Sequence, residues 1–177
     1  MGPLSVGLRP ILPTIAAAMA FVAQPSDLDH IVDPVCGTGT LISEAVSLAP
    51  SATVIGIDRN PDAIEAARHN LRGIKSVSLE IRDSRHTSLS NDSVTLVIAN
   101  LPFGKQFGDR HTNPALYFDL ITEWLRTAAP DRWRAVVLSS DVGAFRAASS
   151  RFSRLRIKEI FRVRIRGELA TVFLLTR

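Results

Sequence analysis

Short apolar runs rich in β-branched residues alternate along this chain with stretches of helical periodicity. Ile31 to Val35, Thr53 to Ile57, Val77 to Ile81, Val94 to Ala99 and Ala135 to Ser139 read as strands. Between them, Gly39 to Leu48, Pro61 to Leu71, Pro114 to Ala129 and Asp141 to Ala148 read as helices, with prolines near several starts and Gly73 just past one end. The alternation predicts βαβ units in a mostly parallel sheet covered on both faces, with any site outside the carboxyl ends of its strands. The tail breaks the pattern. Ile157 to Val163 and Ala170 to Leu175 are joined by Arg164 to Leu169, too short for a crossover helix, so these two runs should pair antiparallel.

Ahead of the first strand, Arg9 precedes an apolar run from Ile11 to Ala23. It superficially resembles a secretory signal, but Pro10 and Pro13 suit a helix start and the run is far too short to span a bilayer. The expectation is an amphipathic helix packed on the domain. With no internal repeat, low-complexity tract or linker to divide it, 1–177 reads as one domain, with 1–28 an amino-terminal helical segment and 29–177 a Rossmann-like core.

The composition agrees with a folded core: 46% of the 177 residues are hydrophobic, which excludes disorder. A net charge of +4 and a pI near 10.0 tilt toward a phosphate-bearing partner, although many basic proteins bind nothing anionic. The single cysteine, Cys36, can form neither an internal disulfide nor a thiolate zinc site, and the default expectation is the cytoplasm, with no membrane.

Candidate chemistry clusters at successive strand ends. The first strand runs into Asp33-Pro34-Val35-Cys36-Gly37-Thr38-Gly39-Thr40, where glycines let a turn pass beneath a ligand and a helix start offers N–H groups to an anion. A tight turn serving only the fold is the competing reading. A dinucleotide fingerprint would want a small residue where Ile42 stands, which counts against close approach to a pyrophosphate. Asp58 ends the second strand, at the place where an acid accepts hydrogen bonds from ribose hydroxyls; alone it reads equally as a cap ahead of Pro61. Asp83 ends the third, in position to accept from an adenine amino group, and for it the two readings are nearly even.

Asn100-Leu101-Pro102-Phe103-Gly104 follows the fourth strand. The exocyclic amine of a nucleobase is a poor nucleophile, because its lone pair is delocalised into the ring. The Asn100 side-chain oxygen and the Leu101 carbonyl suit its two N–H groups, Pro102 holds the turn, and Phe103 offers a face to the base. Catalysis then reduces to alignment with an activated methyl group. A proline-containing loop whose aromatic packs inward is the alternative.

Taken together, these residues resemble the class I S-adenosylmethionine-dependent methyltransferases, and within them the amino-methylating group with an N/D-P-P-Y/F motif. The variant N-L-P-F-G, the D-P-x-C-G-T-G-T loop, and Leu8-Arg9-Pro10 with Thr14 and Ala17 resemble the catalytic domain of guanine-N2 RNA methyltransferases that usually carry a THUMP domain. The resemblance covers nearly the whole chain. It implies a seven-stranded, mostly parallel Rossmann-like sheet and S-adenosyl-L-methionine as cofactor. Asp33, Cys36, Gly37 and Gly39 would surround the methionine portion, Thr14 its carboxylate, Asp58 the ribose and Asp83 the adenine, with Asn100 and Phe103 on the target guanine. Leu101 replaces the first proline of the wider motif, as is usual in the THUMP-linked group. Only a few residues precede the first helix, too few for a THUMP module. The expectation is a fragment of a longer protein, a stand-alone enzyme reading a different RNA such as rRNA, or one that uses a separate RNA-targeting subunit, with tRNA or rRNA as the RNA. Two alternatives remain: methylation of protein glutamine, and a non-catalytic RNA-binding partner.

Lys105, Arg110 and His111 follow the motif, in a polar segment that reads as a loop closing over a base or as ordinary surface. Arg151, Arg154, Arg156, Lys158, Arg162, Arg164 and Arg166 make a denser basic stretch. Alternation puts the last three on one strand face, as a phosphate-contacting stripe or a charged sheet edge. The four histidines have no metal-ligand spacing with one another or with Cys36, and no metal is expected.

Overall fold

A computed structural model describes residues 10–101, 113–165 and 167–177. Among these residues, seven strands form one sheet: β1 (His30–Asp33), β2 (Thr53–Asp58), β3 (Val77–Ile81), β4 (Leu96–Asn100), β5 (Arg134–Ser139), β6 (Arg156–Ile165) and β7 (Glu168–Thr176). The strand order is β3-β2-β1-β4-β5-β7-β6. The first five strands run parallel, while β7 is antiparallel to both β5 and β6. The predicted class, a parallel sheet closed by an antiparallel pair, is the observed one.

Five helices flank the sheet among the described residues: α1 (Pro13–Ala23), α2 (Thr40–Leu48), α3 (Pro61–Asn70), α4 (Asn113–Thr127) and α5 (Val142–Ser149). Strand alternation sorts the core into two clusters. Ile31, Val54, Leu96, Ile98, Val136 and Leu138 face α1, α2 and α3, whereas Val32, Val97, Ala99, Ala135 and Val137 face α4 and α5. In α4 the buried residues Asn113, Tyr117, Leu120, Ile121, Trp124 and Thr127 recur at helical spacing. Pro61 begins α3, capped by Asn60, whose side chain accepts from the Asp62 N–H.

Three expectations need correction. The first helix is apolar on every side rather than amphipathic: it buries Ile15, Ala16, Met19, Ala20 and Ala23 but leaves Phe21 exposed. The sheet is not covered by helices on both faces throughout, because the 82–95 connection from β3 to β4 contains no helix. On the α4 side, β1 and β2 border a concavity of about 250 Å³ lined by His30, Thr53, Ile55, Ser88, Ser90 and Ser93. This explains why Ser78 and Glu80 alternate with Val77 and Leu79 in β3. Finally, β1 stops at Asp33, before Val35, and β4 begins at Leu96, with Val94 making only an isolated bridge to Ala128. No helix among the described residues is long and apolar enough to cross a membrane.

The edge opposite the strand carboxyl ends is tied by an ion pair between buried Asp29 and half-buried Arg134. Asp29 Oδ2 accepts from Arg134 Nη2 at 2.9 Å, and its Oδ1 accepts from the Thr95 hydroxyl at 2.6 Å. Burial alone would raise the Asp29 pKa, but bonds from Arg134, Thr95 and Ser26 hold it down at about 2. Arg134 also donates to the Ala23 and Gln24 carbonyls, fixing the carboxyl end of α1 at this edge.

Candidate active site at the carboxyl edge of the sheet

The chain leaves β1 at Asp33 and folds its next turn over the end of β2. The Cys36 N–H donates to Ile57 O at 2.9 Å, and the Gly37 N–H donates to Asp58 Oδ2 at 2.9 Å. Asp58 Oδ1 accepts from the Asn60 N–H at 2.9 Å, so one carboxylate orders both the loop beneath it and the start of α3. Gly37 has a φ of 52°, and a Cβ there would meet nothing within 4 Å, so open space lies above the turn. Gly39 ends the turn with a φ of 83°. Its missing Cβ would stand 2.7 Å from Leu71 Cδ1, so glycine is needed for α2 to start against α3.

Asp33 is buried. Its Oδ1 accepts from the Val35 N–H at 3.2 Å, while its Oδ2 has no partner among the described residues. Burial raises its pKa to about 8, opposed by the Val35 hydrogen bond and reinforced by the charge of Asp58. Cys36 is buried beside it, its thiol pushed well above the ordinary range by burial and by Asp33 and Asp58. At neutral pH Cys36 is a packed thiol and a poor nucleophile.

Asn100 ends β4, one strand over from β1. Its position in the alternation, with Leu96 and Ile98, turns it to the face shared by Asp33 and Asp58. Asn100 Oδ1 is also buried without a partner among the described residues. Leu101 turns the other way, into the cluster with Tyr117 and Phe145, and its N–H donates to Leu138 O at 2.9 Å. A proline at 101 has no N–H to make that bond. Pro102 and Phe103 lie outside the described residues, as do Lys105, Arg110, His111 and Arg166.

The remaining candidates sit differently. Asp83 follows β3 on the same edge, but both its oxygens receive the Arg85 guanidinium, at 3.0 Å from Nε and 2.6 Å from Nη2. Arg85 holds it down to about 2, and the pair is solvent-exposed, so it opens at little cost. Thr14 is exposed on the first turn of α1, and its side chain makes no hydrogen bond among the described residues. Sequence reasoning passed over Ser84. It is buried, and its hydroxyl donates to Pro34 O, tying the end of β3 to the turn after Asp33. A small polar residue directly after the strand-end acid was the only signal.

Two buried acceptor oxygens therefore end adjacent strands on one face of the sheet, on the edge that also carries the Asp58 carboxylate and the start of α2. A model of the RMKL-like methyltransferase domain matches residues 7–171. The chain belongs to that family. Similar proteins include the mouse tRNA (guanine(6)-N(2))-methyltransferase THUMP3, 31% identical over 93% of this chain and 35% of its own length. The bovine U6 snRNA (guanine-N(2))-methyltransferase THUMPD2 is 34% identical over 58% of this chain and 21% of its own. Among solved structures, TrmN from Thermus thermophilus superposes with a TM-score of 0.81 at 24% identity, over 93% of this chain and 48% of that one. The chain thus spans about a third of the length of the THUMP3 relative. Its fold is that of S-adenosylmethionine-dependent methyltransferases, and the protein is a methyltransferase domain.

The residues fit that cofactor. Asp33 Oδ2 is a buried acceptor that would suit an ammonium, and the Asp58 carboxylate at the end of β2 would suit ribose hydroxyls. Among the described residues no group of three His, Cys, Asp or Glu side chains is gathered as a metal site would require.

Proposed function

We propose that this domain transfers a methyl group from S-adenosylmethionine to the exocyclic N2 of a guanine in tRNA or rRNA. One observation carries the reading: Asp33 Oδ2 and Asn100 Oδ1, at the ends of adjacent strands, are both buried acceptors without donors among the described residues. Leaving such atoms unpaired costs about 1–3 kcal/mol each, which a ligand bringing two amine groups recovers. The cofactor supplies an electrophilic methyl on a sulfonium.

The chain's own residues then bind and align. Asp33 takes the ammonium, Asp58 the ribose, Asp83 the adenine once Arg85 releases it, and Thr14 lies toward the carboxylate. Cys36, Gly37 and Gly39 form the floor. Asn100 Oδ1 and the Leu101 carbonyl accept from the target amine, holding its lone pair toward the methyl group, with Pro102 and Phe103 completing the motif. As the nitrogen gains positive charge, the same acceptors bind it more tightly than they bound the neutral amine. The names of the THUMP3 and THUMPD2 relatives, both guanine-N2 methyltransferases, support guanine and RNA as substrate. The basic net charge favours RNA over protein glutamine.

The test is incubation with tritiated methyl donor and separate tRNA and rRNA fractions, followed by digestion to nucleosides. Label in N2-methylguanosine is the expected result. Label in protein glutamine, or cofactor binding with no transfer to any fraction, would overturn the reading.

A further inference from the structure

The two described residues that bracket 102–112 are both fastened to the same short stretch, the exit from β5. On one side, the Leu101 N–H donates to Leu138 O at 2.9 Å. On the other, Asn113 at the start of α4 is buried to 3% exposure, and its Nδ2 donates to Asp141 Oδ2 at 3.1 Å. Asp141 lies three residues beyond Leu138 and is itself held on two sides. Its Oδ1 accepts from the Ala144 N–H at 3.1 Å, capping α5, and its own N–H donates to Ser139 Oγ at 3.2 Å. The Ser139 hydroxyl in turn lies 3.4 Å from the Tyr117 hydroxyl, one turn along α4 from Asn113.

None of these groups is on the face that carries Asp33, Asp58 and Asn100. Ser139 follows Ala135 and Val137 in the alternation, toward α4 and α5, and Leu101 packs into that same cluster. Strand alternation links the two faces: while Leu101 stays clamped to β5 and buried against Tyr117, Asn100 is held to the opposite face. An Asn buried at the first position of a helix, spending its amide on a carboxylate, is not needed for burial or for helix formation, since a small apolar residue serves both.

We propose that Asp141 and Asn113 are a positioning pair for the Asn100-Leu101 motif, fastening the start of α4, against which Leu101 packs, to the exit of β5 so that Asn100 Oδ1 is aligned for the target amine. The inference rests on the methyl-transfer reading above. Neither side chain touches the reacting atoms; both act through Leu101 and the start of α4. A misplacement of about 1 Å at a reacting group costs up to about a hundredfold in rate, so a modest loosening is visible in turnover.

Two substitutions separate position from charge and from capping. Asp141→Ser keeps a good cap for α5 but is too short to reach Asn113. Asp141→Asn keeps the cap and the length, and meets Asn113 once the Asn113 amide turns over. Both remove the same charge. With the RNA fraction that wild type methylates, Asp141→Ser should lower kcat by at least about tenfold, with cofactor Kd within about twofold of wild type. Asp141→Asn should stay within about threefold in kcat. Asn113→Ala, which leaves the α5 cap untouched, should reproduce the Asp141→Ser loss, and the double variant should be no worse than either alone. This second variant carries the test if Asp141→Ser unfolds.

Wild-type turnover in Asn113→Ala overturns the pair, as does a loss in Asp141→Asn equal to that in Asp141→Ser, or a parallel loss of cofactor affinity. If wild type binds the cofactor and methylates no RNA fraction, the underlying reading falls and this inference with it. A failure confined to the variants leaves that reading standing.

Discussion

Ile42 of α2 occupies the space that a side chain on Gly56 of β2 would need: a Cβ there would lie 2.5 Å from Ile42 Cδ1, 2.7 Å from Leu79 Cδ2 and 3.2 Å from Cys36 Sγ. In a dinucleotide fold the small residue that lets helix meet strand stands on the helix, where this chain has Ile42. Here it stands on the strand, and the helix carries the bulk. The bulky Ile42 is thus a packing solution, with its side chain buried in the core rather than aimed at a ligand. Gly56→Ala should destabilise the protein by about 1–3 kcal/mol in urea unfolding, because the fully buried Ile42 and the Leu79 packed against the same cluster must both shift to admit a Cβ. It should also weaken cofactor binding by displacing Cys36. Gly143→Ala, whose Cβ meets nothing within 4 Å and whose φ is unexceptional, is the matched control and should be neutral or stabilising.

Asp33 gives the free protein a pH dependence with a defined sign. Its folded-state pKa, raised to about 8, exceeds that of the unfolded chain, so between about pH 4 and pH 8 the native state holds a proton that the unfolded state releases. Stability from this group falls as pH rises through that window and levels off above it. An ammonium bound at Oδ2 favours the ionised carboxylate, so cofactor binding at pH 7 should expel close to one proton. Calorimetric titrations in two buffers of different ionisation enthalpy measure that number directly. Asp33→Asn should abolish the proton release, flatten the stability slope and weaken cofactor binding; release unchanged in this variant would remove Asp33 from the ammonium.

Much of this was written in the local sequence, because the elements are short and strongly patterned. The strand ends carrying Asp33, Asp58, Asp83 and Asn100 follow from apolar runs that stop at turn-forming residues, and all four lie on one edge of the sheet. What escaped was decided by partners that the local pattern does not specify. Nothing near Asp83 says that Arg85 will fold back onto it, or that Ser84 will reach Pro34 fifty positions away. The missing helix after β3 was visible only as polar alternation at Ser78 and Glu80. In the basic stretch near the end, Arg162 and Arg164 share one strand face as their alternation predicts, but they do not share it with Arg156 and Lys158. Glu159 and Ile160 form a bulge, after which the alternation reverses: Arg156 and Lys158 lie on the α1 side, Arg162 and Arg164 on the α5 side.

Asn100 should show its role by a split between turnover and stability. Its buried Oδ1 lacks a partner among the described residues, so Asn100→Ala removes an unpaired polar atom and should leave the melting temperature unchanged or slightly raised. The same change deletes an acceptor of the target amine and should lower kcat by about a hundredfold or more, with cofactor affinity near normal. Equal turnover in the variant would leave Asn100 with no part in the chemistry. A large fall in melting temperature would mean that it is held by partners within the protein.

The bulge also makes a prediction about RNA. Because β6 runs parallel to β5, Arg156 lies level with Arg134 at the edge remote from the site, while Arg162, paired across β7 at Thr171 with Ser139, lies level with the catalytic edge. Arg164 continues beyond it on the same face. Arg162 shares Glu159 with Arg146, and Arg164 donates to Gly167 O, exposed interactions that a phosphate replaces at little cost. Neutralising Arg162 and Arg164 to glutamine should therefore weaken RNA binding and reduce the slope of log affinity against log salt by about 1.4 to 1.8, because two phosphates are no longer neutralised by the protein. Cofactor affinity should not change. Neutralising Arg156 and Lys158 removes as much positive charge from the other face and the far edge, and should leave the salt slope close to wild type. Equal effects from the two pairs would mean that net charge alone draws the RNA and that the β6–β7 hairpin makes no defined contact with it.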